Sequence, residues 1–557
     1  MKKRGIITLG AVLAVVAIAV VLVFCNPFGQ RRKVAPITDL MVVYVDGGQL
    51  VQKGALDKFI SEHNRSMMAM AALSGIENSE VTEYFNLVAK NFNETGISFE
   101  KPAYAYVNGD MQDDVDGVLV LEVYDVEKVD KFVEMLSKLQ ETEDMEPIDV
   151  KKVGDRRTFA YDEAFCGYDE TRFIVAYSTM GDGEALANEA MNRPFSDLSV
   201  FGDRDLALYV DIDQIITIAE DNLNNTLAEY EMCMGECEYD YEVEWYEENI
   251  ASVEKSIAQL AEVRAQIGEK ASVVSGLTFE LGRAVLDFEC DSSNDIDSKL
   301  FNKVDNSHLQ YVSQDVIALL NMGINGEKVA ELVKENITPD FASMLDVNRN
   351  EFNFVLQLVC DALSSVDGDF TVALEGMDGT SRRRNVRLDS ADLLMMADVR
   401  DRYIIDNVSQ FAAGFLQKDG EDKYSANLSS SFSLYVGQSD EVCYAGINSE
   451  YIPAELPAED ATWVNDIKDG YMYLLLDVEN MMNSSYFKAY YDAAMRRMDY
   501  QQAETIAALV EESDYIYLKI NDMYNSELVW VFDDKQTNAL VKLVGNILPV
   551  IMDNMSL

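Results

Sequence analysis

Few residues in this sequence are of types that start chemistry. Only two histidines, His63 and His308, occur among 557 residues, and histidine supplies most nucleophile–base pairs and many metal sites. The seven cysteines, Cys25, Cys166, Cys233, Cys237, Cys290, Cys360 and Cys443, stand singly apart from Cys233 and Cys237. Those two are four residues apart, on one face of an unbroken helix, where two thiolates could share a metal. Zinc needs three or four protein ligands, and no histidine is near them in sequence. They read as packing thiols, and seven cysteines in a chain this long imply no disulfide framework.

Carboxylates are abundant. Asp110, Asp113, Asp114 and Asp116 precede Gly117 as in a calcium loop, but Gln112 stands where the first Asp belongs and Val123 where the closing Glu belongs. That run reads as a solvated hairpin loop. A second run, Glu236, Glu238, Asp240, Glu242, Glu244, Glu247 and Glu248, interleaves with Tyr239, Tyr241, Trp245 and Tyr246. Aromatics among carboxylates form a contact surface for a basic partner or for sugar rings; the other reading is that they pack a helical hairpin. Ser252-Val-Glu-Lys255 has the Ser-x-x-Lys spacing without companion motifs, and no Gly-x-Ser-x-Gly elbow or Gly-rich phosphate loop is present. A glycosidase needs only two carboxylates, and 98 acids single out no pair. No catalytic, cofactor-binding or metal-binding residue is assigned, and Tyr239, Tyr241, Trp245 and Tyr246 are the candidate partner contacts.

The 98 acidic residues face 45 Lys and Arg, a formal charge of −53. Such a field repels phosphate backbones, which excludes a nucleic-acid partner. Hydrophobic residues at 48% and aromatics at 10% are enough to build cores. The length implies more than one domain.

At the start, Lys2, Lys3 and Arg4 precede Gly5–Phe24, twenty residues without a charge. A helix of that length spans the hydrocarbon core of a bilayer. The expectation is an uncleaved, single-pass membrane anchor over residues 1–33, with the rest outside the cytoplasm, in the periplasm or cell envelope. The alternative is a lipoprotein modified at Cys25, against which Phe24 is too large for a lipid-processing site. Arg31, Arg32 and Lys33 nearly balance the basic start, so the layout of basic start, apolar run and large domain decides the orientation.

Beyond the apolar run the chain repeats itself. Val43-Tyr44-Val45-Asp46 resembles Leu208-Tyr209-Val210-Asp211, and Leu474-Leu475-Leu476-Asp477 follows the same pattern. Each is a strand ending at an Asp that caps a following helix. Val316–Met322 with Gly323–Leu332 makes a fourth strand–helix unit. Aligning Val123 with Val399, and Asp39 with Asp315, gives one offset of 276, while Gly167 matches Gly437. Expected turns are Asn108-Gly109, Asp367-Gly368 and Asp378-Gly379. The fold class expected is therefore α+β: a transmembrane helix, then tandem duplicated domains of antiparallel sheet with helices packed on one face. The copies are 34–290 and 308–557, joined by a polar linker at 291–307. The first carries an inserted helical hairpin at about 214–270, broken near Gly235.

Two segments carry a resemblance to a known family. Asp315-Val316-Ile317-Ala318-Leu319-Leu320-Asn321-Met322-Gly323 opens a repeat. Leu528-Val529-Trp530-Val531-Phe532 leads through Asp533-Asp534-Lys535-Gln536-Thr537 to Asn538-Ala539-Leu540-Val541-Lys542-Leu543. In these the chain resembles uncharacterised Bacteroidetes envelope proteins, domain-of-unknown-function family 4836, over most of 36–548. The resemblance implies location and architecture and no activity. The expected function is a membrane-anchored envelope binding or scaffolding protein, with an envelope protein or glycan as partner and no cofactor; the alternative is a carboxylate-dependent hydrolase of envelope glycans.

Overall fold

The computed structural model describes residues 37–55, 78–110, 114–142, 147–194, 198–237, 239–268, 271–291, 301–336, 349–382, 385–411, 416–498, 500–522 and 524–546. The Gly5–Phe24 run, Cys25 and His63 lie outside these residues. Among the described residues no helix is long and apolar enough to cross a membrane. The transmembrane helix expected as the first element of the fold class thus has no counterpart among the described residues. The longest described helices reach spanning length but are studded with acids such as Asp213, Glu220, Asp221 and Glu229.

The chain divides into two compact units, one built from Met1–Leu281, Leu286–Ile296 and Asn538–Leu548, the other from Gly282–Val285, Asp297–Thr537 and Pro549–Leu557. The strands up to Asp291 are β1 (Met41–Asp46), β2 (Ile97–Ser98), β3 (Pro102–Gly109), β4 (Val115–Val123), β5 (Lys151–Val153), β6 (Arg156–Tyr161), β7 (Ala164–Tyr168), β8 (Arg172–Ser178), β9 (Leu206–Asp211), β10 (Ser272–Glu280) and β11 (Arg283–Asp291). In the first unit they pair antiparallel in the order β5-β6-β7-β8-β4-β3-β1-β9-β10. Its helices are α1 (Gly47–Gly54), α2 (Ser79–Lys90), α3 (Val126–Thr142), α4 (Gly183–Asn192), α5 (Ile212–Gly235) and α6 (Asp240–Ile267).

The later strands are β12 (Phe301–Asn302), β13 (Ala318–Asn325), β14 (Val366–Arg382), β15 (Asn385–Val399), β16 (Gln417–Gly420), β17 (Lys423–Asn427), β18 (Ser433–Ser439), β19 (Val442–Ile447), β20 (Met472–Asp477), β21 (Ser513–Ile520) and β22 (Asn525–Phe532). They pair antiparallel as β16-β17-β18-β19-β15-β14-β13-β20-β21-β22. The helices are α7 (Gly326–Asn336), α8 (Arg349–Ser365), α9 (Tyr403–Phe411), α10 (Val464–Ile467), α11 (Val478–Asn483), α12 (Ser485–Met495) and α13 (Tyr500–Glu511).

The two orders match strand for strand from β5 and β16 to β10 and β21. Val123 and Val399 hold one register position: each donates its amide to the residue just before the neighbouring strand, Thr171 or Glu441. The Asp39–Asp315 alignment is one residue out. Leu40 accepts the amide of Asp211 and Ile317 that of Asp477, so the counterpart of Asp39 is Val316. Asp39 is buried in an ion pair with Arg193, whereas Asp315 is exposed.

The strand-end aspartates cap as their type dictates. Asp46, Asp211 and Asp477 accept the amides of Gln49, Gln214 and Asn480 at 2.9, 2.9 and 2.8 Å. Asn325 does the same for Lys328 in the fourth unit. Two of the expected turns are bulges instead: Gly368 and Gly379 lie inside β14, where its register with β15 shifts.

Helices cover both faces of the first sheet, a correction to the single layer expected. Val42, Tyr44, Tyr106, Val120 and Ile174 pack on one face beneath Ala187, Ala190 and Met191 of α4. On the other face Phe159, Tyr168 and Phe173 pack against Val129 and Val133 of α3. Short turns fix strand direction but not cover, and the nearly continuous apolar run of β4 suits a strand flanked on both sides. The second core gathers Leu319, Leu394, Met396, Tyr473 and Val529 around Trp463 and Ile467.

The helical hairpin of the first unit has a shorter counterpart in the second. Where the first unit has α5 and α6, the second has α11, α12 and α13 at the same place in the strand order. The first hairpin is an elongation of a shared element.

Candidate binding surfaces

Helices α5 and α6 run antiparallel, and the side chains that hold them define a base and a tip. At the base Arg264 donates to Glu220 Oε2 at 2.5 Å and to Thr217 Oγ1 at 2.6 Å. Towards the tip the Tyr230 ring lies 6.1 Å from Trp245 and 5.9 Å from Tyr246. Gly235 ends α5, and the chain enters α6 at Asp240.

The four aromatics singled out from sequence divide here by role. Tyr246 is half-buried and packs edge-on against Trp245 at 4.9 Å. Trp245 lends one edge to that contact yet stays 53% exposed. Tyr239 and Tyr241 stack on each other at 5.7 Å and are 57% and 67% exposed. Met232, in the last turn of α5, is exposed as well. From Glu229 to Glu248 the sequence contains no Lys or Arg, so the tip joins exposed aromatic surface to an acidic segment without a cation of its own.

Cys233 and Cys237 are free thiols at this tip. The Cys237 thiol donates to the Cys233 carbonyl at 3.3 Å, and desolvation with nearby Glu242 pushes it above the usual thiol range. A thiol held protonated is a poor metal ligand. Among the described residues no group of three or more His, Cys, Asp or Glu is arranged to hold a metal ion. Asp110 accepts the amide of Asp114 at 2.9 Å, a turn-closing bond.

His308, unremarked in sequence except for its rarity, sits in a buried polar chain. Its Nδ1 is 2.8 Å from Thr371 Oγ1 and its Nε2 3.0 Å from Asp398 Oδ1. Thr371 donates to Asn321, and the Asn321 amide donates to Asp369 at 3.0 Å. The hydroxyl–imidazole–carboxylate order resembles a hydrolytic triad, but His308 is 1% exposed and Thr371 0%. No substrate reaches the hydroxyl, so the chain satisfies buried polar groups. Asp369 is pushed up by burial, which the amides of Asp305, Asn306 and Asn321 partly offset.

Sequence reasoning missed an apolar pocket of about 470 Å³ on the second unit's sheet, over β15, β19 and β18. Ala397, Cys443 and Ala445 form its floor, and Phe370, Leu434 and Met395 stand around it. Ile404 of α9 and Leu416 also line it, and among the described residues no charged side chain does. Burial pushes the Cys443 thiol up to about 11, consistent with an apolar surrounding. The alternating pattern of β15 and β19 is the one sequence signal for this face.

Two antiparallel sheets of matching strand order, each with a helical hairpin, define a two-unit α+β protein without a recognisable catalytic centre among its described residues. Residues 216–540 match the family model "Domain of unknown function (DUF4836)", more than half of the chain, and the chain belongs to that family. No curated protein and no solved structure matches it.

Proposed function

We propose that this protein is a non-catalytic binding or scaffolding protein working outside the cytoplasm, and that the tip of the α5–α6 hairpin is its contact element for a basic partner. The observation that carries the reading is the exposure of Tyr239, Tyr241 and Trp245 within a segment that has no cation of its own. Rigid aromatic rings supply contact area at low entropic cost, and unpaired carboxylates attract and orient a positively charged surface. The place outside the cytoplasm is supported by the basic start followed by the uncharged Gly5–Phe24 run. A glycan hydrolase is the weaker reading, because among the described residues the apolar pocket carries no carboxylate and the triad-like His308 chain is sealed.

The test is cross-linking in the native cell, comparing the full chain with a Tyr239→Ser, Tyr241→Ser, Trp245→Ser variant. A basic partner captured by the wild type and lost with the three rings supports the reading. Equal capture by both proteins, or no partner with either, removes the tip from consideration.

A further inference from the structure

The two units place different side chains at matching positions of the same sheet face. In the first unit that face is filled. Leu121 on β4 and Phe173 on β8 point towards α3, Phe173 stacks on Tyr168 at 5.8 Å, and Phe159 meets Tyr168 edge-on at 6.3 Å. Val129 and Val133 of α3 close over them.

In the second unit, strand register puts Ala397 where the first has Leu121, Cys443 where it has Phe173, and Ala445 where it has Val175. The centre of the face is thereby hollowed. The bulk moves outward: Phe370 and Leu434 stand where the first unit has Ala103 and Ala164. Small residues on the floor and large ones around it make a pocket, and its volume of about 470 Å³ falls in the range of small-molecule sites.

What fills the first copy shows what the second would accept: apolar carbon, without charge. Met395 keeps 36% of its surface exposed, so the pocket opens to water and an occupant can leave a polar end outside. Burying a hydrocarbon there gains roughly 0.8 kcal/mol per methylene, whereas a charged group would find no partner on the floor. Beyond the partner contact assigned to the helical hairpin, we propose that this pocket binds the hydrocarbon chain of an acyl amphiphile, whose head group stays in solvent.

The experiment is calorimetric titration of the full chain with dodecanoate, with butyrate as the control for the carboxylate alone. Two variants accompany it. Ala397→Leu with Cys443→Phe installs the first unit's own side chains, and Met395→Glu puts a charge at the open edge without touching the floor. The expected result is saturable dodecanoate binding to wild type, none of butyrate, and affinity lowered about ten-fold or more in each variant. The filled variant should unfold at the same or a higher temperature, because it occupies empty space. No saturable binding of dodecanoate to wild type, or equal binding to all three proteins, overturns the proposal. So does a filled variant that melts markedly lower, since the space would then be taken by the protein itself.

Discussion

Lys53 Nζ lies 2.8 Å from both carboxylate oxygens of Asp205, and the Asp205 side chain is completely buried. The same carboxylate accepts the Phe279 amide at 2.7 Å, so one residue ties α1 to the β9–β10 edge. Removing the lysine leaves a buried charge with one hydrogen bond. Lys53→Met is expected to destabilise the first unit by about 3 kcal/mol, the lower end for a broken buried pair because Lys53 itself is partly exposed. Adding Asp205→Asn to that variant should recover part of the loss. Denaturant unfolding of both variants measures the coupling, and equal stability of Lys53→Met and wild type would contradict it.

Asp477 gives a pH dependence whose sign follows from burial. Desolvation, with Asp514, Glu479 and Asp315 nearby, lifts it from an ordinary 3.8 to about 6. The folded state therefore holds this proton more tightly than the unfolded state. The stability it contributes is present below pH about 3.8 and lost as pH rises through about 6. Asp477→Asn keeps an acceptor for the Asn480 amide and removes the titration. The variant should gain on the order of 1 kcal/mol over wild type at pH 7, after allowing for solvent screening, and nothing at pH 3.5. Melting temperatures across that window decide it; parallel curves for the two proteins would refute the assignment.

Gly96 sits at φ +80, and a Cβ there would lie 2.2 Å from the Asp125 carbonyl and 2.7 Å from the Val129 amide. Its own carbonyl accepts the amides of Tyr124 and Asp125, so the turn cannot relax without losing the entry to α3. Gly96→Ala should cost roughly 2–3 kcal/mol. Calorimetry on the variant measures this, and a loss under about 0.5 kcal/mol would show that the turn opens freely.

The sequence carried local signals well and shared surfaces poorly. Strand ends were legible because Asp46, Asp211 and Asp477 cap by their own chemistry. Gly235 was legible as a helix end because nothing else interrupts the run. The Asp39–Asp315 alignment slipped by one because both are acids near a strand start, while only the hydrogen bonds of Leu40 and Ile317 report the register. Gly368 and Gly379 read as turns because a bulge and a turn ask the same freedom of glycine. The pocket over Ala397 and Cys443 could not be read at all. It depends on four strands lying side by side, and alanine in a strand has no signature of what faces it.

At the hairpin tip, partner contact and folding rest on different rings. Tyr239, Tyr241 and Trp245 are each more than half exposed, so truncating them to Ser should change the melting temperature little. Tyr246 is half-buried against Trp245 and Tyr230, and Tyr246→Ala should lower tip stability by about 1 kcal/mol. Partner capture should respond in the opposite order, lost in the exposed triple variant and largely retained in Tyr246→Ala. If the carboxylates between Glu229 and Glu248 steer the partner, capture by wild type should also weaken as salt is raised from roughly 0.05 M to 0.5 M. Capture that is insensitive to salt but lost with the rings would assign the affinity to aromatic contact alone. Capture that follows Tyr246 instead of the exposed rings would mean that the partner reads the shape of the folded hairpin and not its bare aromatic surface.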